Sequence, residues 1–378
     1  MATEENHPAR QRTPLEKATF MLLFSILAIF ALRETADFLY PICLAILFAF
    51  LIYPLASFLE LNGIHRIAAN LVSILMLIFI FTGGIFVLYR QIDVFINDIP
   101  TLKSQASQNI RSLENVLRGY LGDFYSIEEG WLNRNITSAI ESGGNQLRGI
   151  FATTTGAIAR LLLLPVYMFF LLFYRDKFVS FIKMIVPQRM HPQAESSIRE
   201  ISGMMRSYMV GVFTVVFVLC FLNSIGLLIV GVRYAILLGI LSAIMNFIPY
   251  FGTLIGGAIP LLVALLTESS PRYAVGVLIL FAIIQFTENN ILTPNITGGS
   301  VNINPFVTIL SVIVAGLLWG LPGMFIVIPF MGTLRILMQH NPQLQPFAYL
   351  IGTEGTEDHR LSIGKARRFI TRRLRGKY

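Results

Sequence analysis

The sequence predicts an all-α integral membrane protein with about eight transmembrane segments, two of them hairpins broken by glycine and proline, and a small extracytoplasmic helical hairpin. Three observations lead to this prediction. Hydrophobic residues make up 55% of the 378 residues and charged residues only 13%. The mean hydropathy is +0.68, and apolar runs of membrane length recur along the chain. Two of the longest runs are interrupted near their middle by glycine and proline, a pattern that indicates helical hairpins.

A helix needs roughly 20 residues to cross a hydrocarbon core of about 30 Å. The apolar runs that suggest such helices span residues 15–32, 37–59, 67–89, 151–173, 208–232, 234–267, 273–286 and 305–338. No small-residue cleavage site follows the first run, and the second run begins within a few residues. We therefore interpret the first run as a retained span rather than a signal peptide.

Composition divides the chain into five predicted parts. They are an N-terminal segment with the first three spans (1–90), an extracytoplasmic helical loop (91–150), a fourth span with an amphipathic cytoplasmic segment (151–207), an inverted-repeat core (208–338) and a basic cytoplasmic tail (339–378). Leucine and isoleucine recur near helical spacing in the loop, with glycines between two such stretches. This spacing predicts a helical hairpin that packs on the membrane part or acts as a lid, with partner binding as the alternative.

The distribution of charge predicts the orientation. The connection from 174 to 207 holds six Lys or Arg against three acids, whereas residues 91–148 hold five against seven. Cytoplasmic flanks of spans carry an excess of basic residues, so both termini are predicted to be cytoplasmic. The eight Lys or Arg of residues 354–378 fit this orientation, either as a solvated tail or against anionic lipid headgroups. We do not expect nucleic acid as a partner.

The sequence gives no indication of a cofactor or of enzymatic chemistry. Its five histidines are scattered without metal-ligand spacing, and Cys43 and Cys220 lie within apolar runs. Paired carboxylates, an HExxH helix and a Ser/His pair are missing from the apolar segments, and no GxxxxGK[ST] motif is present. We therefore expect neither a metal nor another cofactor, and neither catalysis nor ATP hydrolysis.

Residues 208–267 and 273–338 resemble each other. YMVGV and YAVGV open the two units 65 residues apart, and ILSAI and ILSVI follow at a spacing of 69. Each unit is one span followed by a long broken segment that returns the chain to its starting face, so the repeats are predicted to be inverted. This arrangement is typical of secondary transporters whose solute lies between the repeats. The alternative is that glycine and proline only kink helices for packing. The predicted hairpin tips and hinges are Pro249, Gly252, Gly256, Gly257, Pro294, Gly298, Gly299, Pro305, Gly320, Pro322 and Gly323.

The stretch TENNILTPNITGGSVNINP, residues 287–305, is polar although it lies between two apolar segments. Glu288 follows Tyr273 by 15 residues, about 22 Å of helix, so it lies deep or near the cytoplasmic boundary. A deep carboxyl group is a candidate ion or proton site, and Arg335 is a candidate charge partner. The alternatives are a helix-end carboxylate in water and a simple cytoplasmic connection. The candidate substrate-binding or ion-binding residues are Asn246, Tyr250, Glu288, Asn289, Asn290, Thr293, Asn302 and Asn304.

ENNILTPNITGGSVNINP, GLLWGLPGMFIVIPFMGTLRIL, NFIPYFGTLIGGAIP and the RDK after residue 174 together resemble the autoinducer-2 exporter family of permease-like bacterial transporters. The resemblance implies a location in the bacterial cytoplasmic (inner) membrane and a homo-oligomer. It implies export of a small signalling solute in some members and cation/proton exchange in others. It assigns no chemical roles to the matching motif positions, which are Asn246, Pro249, Gly252, Glu288, Pro294, Gly298 and Pro305.

The predicted function is therefore secondary active export of a small hydrophilic solute such as autoinducer-2, coupled to a proton or sodium gradient. The lipid bilayer, the solute and the coupling ion are its expected partners. A sodium(lithium)/proton antiporter and a passive channel or facilitator are the alternatives.

Overall fold

The computed structural model describes residues 13–121, 131–152, 154–249, 251–268, 270–297, 299 and 301–355. Tyr250, Gly298 and the basic tail beyond residue 355 lie outside the described residues. Within the described part the chain is helical, with a 3₁₀ turn at Gln188–Met190 and a π-helical turn at Glu288–Leu292. The α-helices are α1 (Pro14–Glu34), α2 (Ala36–Leu61), α3 (Arg66–Asn97), α4 (Ile99–Leu121), α5 (Trp131–Ala152), α6 (Thr154–Phe173), α7 (Arg175–Ile185), α8 (His191–Val230), α9 (Ala235–Met245), α10 (Phe251–Thr267), α11 (Pro271–Thr287), α12 (Thr293–Ile296), α13 (Pro305–Gln339) and α14 (Gln345–Ile351).

Five helical stretches of the described chain are long and apolar enough to cross a membrane. They are Ala36–Leu61, Arg66–Asn97, Gln188–Val230, Pro271–Ile296 and Pro305–Gln339. Many large apolar side chains on these helices face outward, as Phe79 does with 78% exposure. Such side chains are suited to lipid, so the protein is a multi-pass membrane protein. The other predicted segments correspond to α1, to α6 and to the pair of α9 and α10.

Helix α8 is longer than the sequence analysis predicted. The predicted span begins at residue 208, but α8 begins at His191 and contains 40 residues, about 60 Å of helix. Pro192 lies in its first turn, where proline is tolerated, and Gly231 ends it with a φ of +86°. No proline lies between Pro192 and Gly231, so the part of the amphipathic segment from His191 onward forms one continuous helix with the apolar run.

The two ends of α8 define two ends of the molecule. At the α14 end, Nε2 of His340 lies 3.7 Å from the Glu200 carboxylate of α8. At the α4 end, the Tyr234 hydroxyl that follows α8 donates to Asp98 at 2.8 Å, just beyond α3. Burial and the nearby Asp98 carboxylate raise the pKa of Tyr234 to about 12, so the hydroxyl keeps the proton that it donates. The segment predicted as a helical hairpin consists of α4 and α5.

Helices α9 and α10 form a hairpin that opens toward the α4 end. The backbone N–H of Arg233, before α9, donates to the side chain of Glu268, after α10, at 2.9 Å. Between the two helices the Ser242 hydroxyl lies 2.7 Å from the Leu238 carbonyl and 2.5 Å from the Gly256 carbonyl, and its single hydrogen is shared between them. A Cβ atom at Gly252 would collide with the carbonyl oxygen of Met245. The chain therefore reverses between residues 245 and 252, and Gly252 permits the close approach.

Helix α13 also contains a reversal, and this hairpin opens toward the α14 end. Gly320 has φ +63° and ψ −145°, which is not helical. A Cβ atom at Gly323 would collide with the carbonyl oxygen of Ala315, although eight residues of straight helix span about 12 Å. Both ends of α13 contact α14 or the segment after it, because the Asn304 side chain donates to the Leu350 carbonyl of α14 at 2.7 Å and Arg335 pairs with Glu354. The chain therefore turns back at Gly320.

The Gly252→Ala substitution is expected to lower the free energy of unfolding by about 1–3 kcal/mol, because the new methyl group forces apart the tip of the α9–α10 hairpin. Denaturant titration of the purified protein in mild detergent measures this change. Gly83→Ala is the matched control, since nothing lies within 4 Å of a Cβ atom there. Helix propensity alone would make the control more stable by up to about 1 kcal/mol. Equal effects of the two substitutions would contradict the hairpin geometry.

Candidate functional site

The local structure around Glu288 interrupts a membrane helix. Helix α11 ends at Thr287, and the π-helical turn at Glu288–Leu292 follows before the short α12 begins. Single π turns inside helices occur frequently at functional sites, because they leave irregular backbone and re-aim side chains. Glu288 itself is buried, with 8% exposure. A carboxyl group at this position needs hydrogen-bond donors, since lipid offers none.

Two amide side chains supply these donors. Nδ2 of Asn246, at the tip of the α9–α10 hairpin, donates to Oε1 of Glu288 at 2.5 Å. Nε2 of Gln285 lies 3.4 Å from Oε2 of Glu288 and donates to Oδ1 of Asn289 at 3.1 Å. Both donors are neutral, so these contacts hold the carboxyl group in place without balancing a negative charge. The arrangement can therefore keep a proton or a small cation at Glu288.

A cavity of about 510 Å³ lies beside Glu288, and we call it the deep cavity. This volume falls in the range of sites for small molecules. Its apolar walls include Val212, Val216 and Phe247. Half of its lining residues carry polar side chains, which are Tyr208, Asn246, Gln285, Glu288, Asn289, Thr293, Thr297, Asn302 and Thr308.

The deep cavity collects residues from both broken segments. Asn246 and Pro249 come from the tip of the α9–α10 hairpin, and Thr308 and Ile328 come from the two halves of α13. Helix α8 and the π turn complete the walls. The candidate site therefore lies between the two hairpins, the position at which transporters built from repeats bind their solutes.

A second cavity of about 440 Å³ lies toward the α14 end, and we call it the vestibule. Charged groups reach it from Glu200 of α8 and Arg335 of α13. Three of its lining residues also line the deep cavity, namely Thr297, Val301 and Asn302. The two cavities are thus adjacent and share one short stretch of chain.

The structure sorts the predicted binding residues into two groups. Five of them line the deep cavity, which are Asn246, Glu288, Asn289, Thr293 and Asn302. The amide of Asn290 instead donates to the Phe286 carbonyl of its own helix at 2.8 Å. Asn304 accepts from the backbone N–H of Val307 at 2.8 Å and so caps α13. Asn290 and Asn304 are absent from the lining of either cavity.

Among the residues that the structure describes, Arg335 pairs with Glu354 and not with Glu288. It lies on the C-terminal half of α13, where its guanidinium donates to Glu354 at 2.5 Å. The side chain of Arg335 is only 8% exposed, so a buried cation finds its anion in the segment after α14. Glu288 is bound instead by the hairpin tip, which leaves the two charged side chains in separate cavities.

The predicted hinge residues occupy close contacts or helix starts. A Cβ atom at Gly256 would lie 2.8 Å from the Ser242 carbonyl oxygen, and one at Gly257 would lie 3.3 Å from the Phe281 ring. Gly299 has a φ of +66° and Pro305 begins α13. Pro322 lies within α13, two residues after Gly320. Pro294 lies in the first turn of α12, near the end of the helical stretch Pro271–Ile296.

The sequence analysis missed Gln285, Tyr208 and Thr308 as lining residues. Gln285 had a visible signal, because it precedes Glu288 by three residues and so lies on the same helix face within an apolar stretch. Tyr208 was noticed only as the start of a repeat, and it is 7% exposed. Thr308 lies in an apolar run, and its position gives no comparable signal.

A polar cavity with a buried carboxyl group, set between two broken hairpins in a multi-pass helical protein, is typical of membrane transport proteins. The chain matches the AI-2E family transporter family over residues 19–343, and it belongs to this family of transport proteins.

The alignments of this chain with curated relatives cover most of the length of each relative. YrrI of Bacillus subtilis (strain 168) is 30% identical over 312 residues, which is 79% of this chain and 85% of YrrI. YhhT of Escherichia coli (strain K12) is 24% identical over 338 residues, or 87% of this chain and 93% of YhhT. The AI-2 transport protein TqsA of Escherichia coli (strain K12) is 23% identical over 348 residues, or 89% of this chain and 95% of TqsA.

The contact between Asn246 and Glu288 is expected to be energetically coupled. Asn246→Ala removes the hydrogen bond to the buried carboxyl group and should lower the free energy of unfolding by about 1–3 kcal/mol. In a double-mutant cycle with Glu288→Ala, which removes the acceptor, we expect a coupling energy of about 0.5–3 kcal/mol, measured by denaturant titration in detergent.

Asn135→Ala serves as the control in the same cycle, since the exposed Asn135 amide donates to the Trp131 carbonyl of α5. Its coupling to Glu288→Ala should stay below about 0.5 kcal/mol. Additivity of the Asn246 and Glu288 substitutions would show that the hairpin tip does not hold the carboxyl group.

Proposed function

We propose that the protein is a secondary active transporter that exports a small hydrophilic signalling solute, such as autoinducer-2, across the bacterial cytoplasmic membrane. The single observation that carries the proposal is the buried carboxyl group of Glu288 in a polar cavity between two hairpins. Family membership supports transport, and the relative TqsA is named as an AI-2 transport protein.

The chemistry of the deep cavity supports a small solute rich in hydroxyl groups. Amide side chains such as Asn246 and Asn302 both donate and accept hydrogen bonds, and the Thr293 and Thr308 hydroxyls do the same. Apolar side chains on the other side of the cavity, including Val212, match the carbon skeleton of such a solute. Glu288 is the only charged residue among those that line it, so a multiply charged solute would be poorly matched.

Residues 208–267 and 273–338 form inverted repeats in this proposal. Support comes from the two hairpins, since the ends of α9 and α10 meet at the α4 end and the ends of α13 meet α14 and the segment after it. Helix α7 bears Arg175, Lys177 and Lys183 near the α14 end, and this basic character favours the cytoplasmic side for that end. Both termini are then cytoplasmic.

Glu288 couples solute movement to the ion gradient in this proposal. When the carboxyl group is protonated it can donate a hydrogen bond, and when it is ionised it can only accept. The solute therefore meets a different site in the two protonation states. If the solute binds one state better, movement of the proton down its gradient drives movement of the solute.

A sodium(lithium)/proton antiporter is the second candidate function. The observation that favours it is the oxygen-rich surrounding of Glu288, where Oδ1 of Asn289 and other amide oxygens accompany the carboxylate. Small hard cations prefer such oxygen ligands. In this case the polar cavity holds a hydrated ion rather than an organic solute.

Transport in inverted membrane vesicles tests the proposal. With a pH gradient and no ATP, vesicles with the wild-type protein are expected to accumulate labelled autoinducer-2 above equilibrium, with matching proton movement reported by a lumenal pH dye. Glu288→Gln cannot exchange its proton, and we expect it to lose accumulation. Thr287→Val is the control, because the Thr287 hydroxyl donates to the Ile283 carbonyl at 2.8 Å and does not line the cavity.

Each other outcome has a distinct meaning. Uptake that only equilibrates and is unchanged in Glu288→Gln would replace the proposal by a passive facilitator. A sodium-dependent pH change without solute uptake would favour the antiporter. Loss of accumulation in Thr287→Val as well would show that the assay responds to any change in α11.

A further inference from the structure

Arg335 places a buried cation in the wall of the vestibule. Its side chain is 8% exposed, and it lies on the C-terminal half of α13. One nitrogen of the guanidinium, Nη2, donates to Oε1 of Glu354 at 2.5 Å. Another nitrogen, Nε, is buried and has no hydrogen-bond partner among the residues that the structure describes. A buried cation depends on an anion and on acceptors for its N–H groups, and this one has only part of what it needs.

Glu354 fits the guanidinium incompletely. The Nε–H of an arginine and an N–H of its Nη2 point side by side, which matches two oxygens of one carboxylate or phosphate. Glu354 accepts from Nη2, whereas Nε remains unpartnered. A Cβ atom at Gly352 would lie 3.0 Å from Nε of Arg335 and 3.3 Å from Oε2 of Glu354. The chain at Gly352 therefore lies beside both groups, and an anion that accepted from both nitrogens would satisfy the buried donor.

The two members of this ion pair differ in their need for each other. The Glu354 side chain is 48% exposed, so its carboxylate regains water when it leaves the guanidinium, and its own release costs little. Arg335 is buried and would be left with an uncompensated charge, which is strongly unfavourable. The difference favours exchange of one anion for another at Arg335 over an ion pair that simply opens.

The vestibule has the size and the polar groups for such an anion. Its volume of about 440 Å³ lies within the range of small-molecule sites, and Arg335 is the only basic residue among those that line it. The Ser207 hydroxyl and the Asn302 amide also line it and can donate hydrogen bonds to further oxygens. Glu200 is the acid in the lining. Its side chain is 46% exposed to screening by water, and it lies 3.7 Å from Nε2 of His340.

We propose that Arg335 is the anion-binding residue of a second ligand site, which takes a phosphate monoester group in the vestibule and which Glu354 occupies as an internal substitute. A phosphate monoester carries about −1.5 to −2 charges at neutral pH and three terminal oxygens. It can accept from Nε and Nη2 of Arg335 and still reach Ser207, whereas a carboxylate has only two oxygens. The site is separate from the deep cavity, whose charged residue is Glu288.

Exchange of the anion would change how the α13 hairpin is held. The segment after α14 is attached near the start of α13, because Ile303 forms an antiparallel bridge with Gly352. The same segment is attached to the C-terminal half of α13 by the ion pair between Arg335 and Glu354. It therefore links the two ends of the hairpin. When phosphate replaces Glu354, the second attachment is lost, so the ligand regulates how firmly the ends are joined.

Binding of inorganic phosphate to the purified full-length protein tests the site, by isothermal titration calorimetry in mild detergent and phosphate-free buffer. Glu354→Gln removes the internal anion, and we expect the Kd for phosphate to fall by about tenfold relative to wild type, because the site is no longer occupied. Glu141→Gln is the matched control. Its carboxylate is 50% exposed, pairs with Lys103 near the α4 end and does not line the vestibule. The Kd of this variant is expected to equal that of wild type.

Arg335→Lys in the Glu354→Gln background tests the guanidinium itself. Lysine keeps the positive charge but lacks the paired donors, so phosphate binding is expected to weaken by about tenfold. Gel filtration and circular dichroism check that this variant folds. If it does not, the comparison of Glu354→Gln with Glu141→Gln decides the proposal alone.

A water-soluble short-chain phosphatidic acid is the second probe, since it carries the same phosphate group on a lipid. Tighter binding of this probe than of inorganic phosphate to Glu354→Gln, lost in Arg335→Lys, would identify a lipid headgroup as the ligand. The opposite preference would identify a soluble phosphate monoester. Both results support the site and distinguish its sources.

Three results would overturn the proposal. They are equal phosphate Kd values in wild type, Glu354→Gln and Glu141→Gln, phosphate binding that Arg335→Lys leaves unchanged, and the absence of binding of either probe to Glu354→Gln. None of these measurements depends on transport. Failure of the anion site is therefore distinguishable from failure of the proposed function.

Discussion

The hydrogen bond from Asn246 to Glu288 joins the tip of the α9–α10 hairpin to the π turn that interrupts the membrane helix after α11. A carboxyl group with 8% exposure needs hydrogen-bond donors in order to remain there. The transfer of an amide from water to an apolar environment without a hydrogen-bond partner costs roughly several kcal/mol, and an unsatisfied polar group in a water-poor interior costs a similar amount. The position of the hairpin tip is therefore constrained by the carboxyl group of Glu288. It must bring an amide to Glu288, and the packing of the hairpin follows from that requirement.

Small residues allow the hairpin to meet this requirement. Gly252 permits the tight reversal after α9, and Gly256 lets α10 approach α9 closely enough for the Ser242 hydroxyl to bridge them. Between membrane helices such contacts are the main source of association, because lipid and leucine are equally apolar. The same glycines that look like helix breakers in the sequence thus stabilise the arrangement around the carboxyl group.

Much of this architecture could be predicted from sequence, because its causes are local. Apolar runs mark the helices, glycine and proline mark the breaks, and the helix rise from Tyr273 predicts that Glu288 lies deep or near the cytoplasmic boundary. The partners of charged groups could not be predicted, since they depend on packing between distant segments. Arg335 shows this, because nothing near it in sequence indicates that Glu354 is the anion that it contacts.

The five asparagines between residues 289 and 304 show why composition alone overstates a site. Asn289 and Asn302 line the deep cavity, but Asn290 and Asn295 donate to carbonyls of their own helical turn and Asn304 caps α13. A polar run at membrane depth must first satisfy the backbone that its own irregularity exposes, and only the remaining side chains can meet a solute. Those side chains come from different elements, so the preference for a solute can change by single substitutions while the hairpins that position them stay as they are.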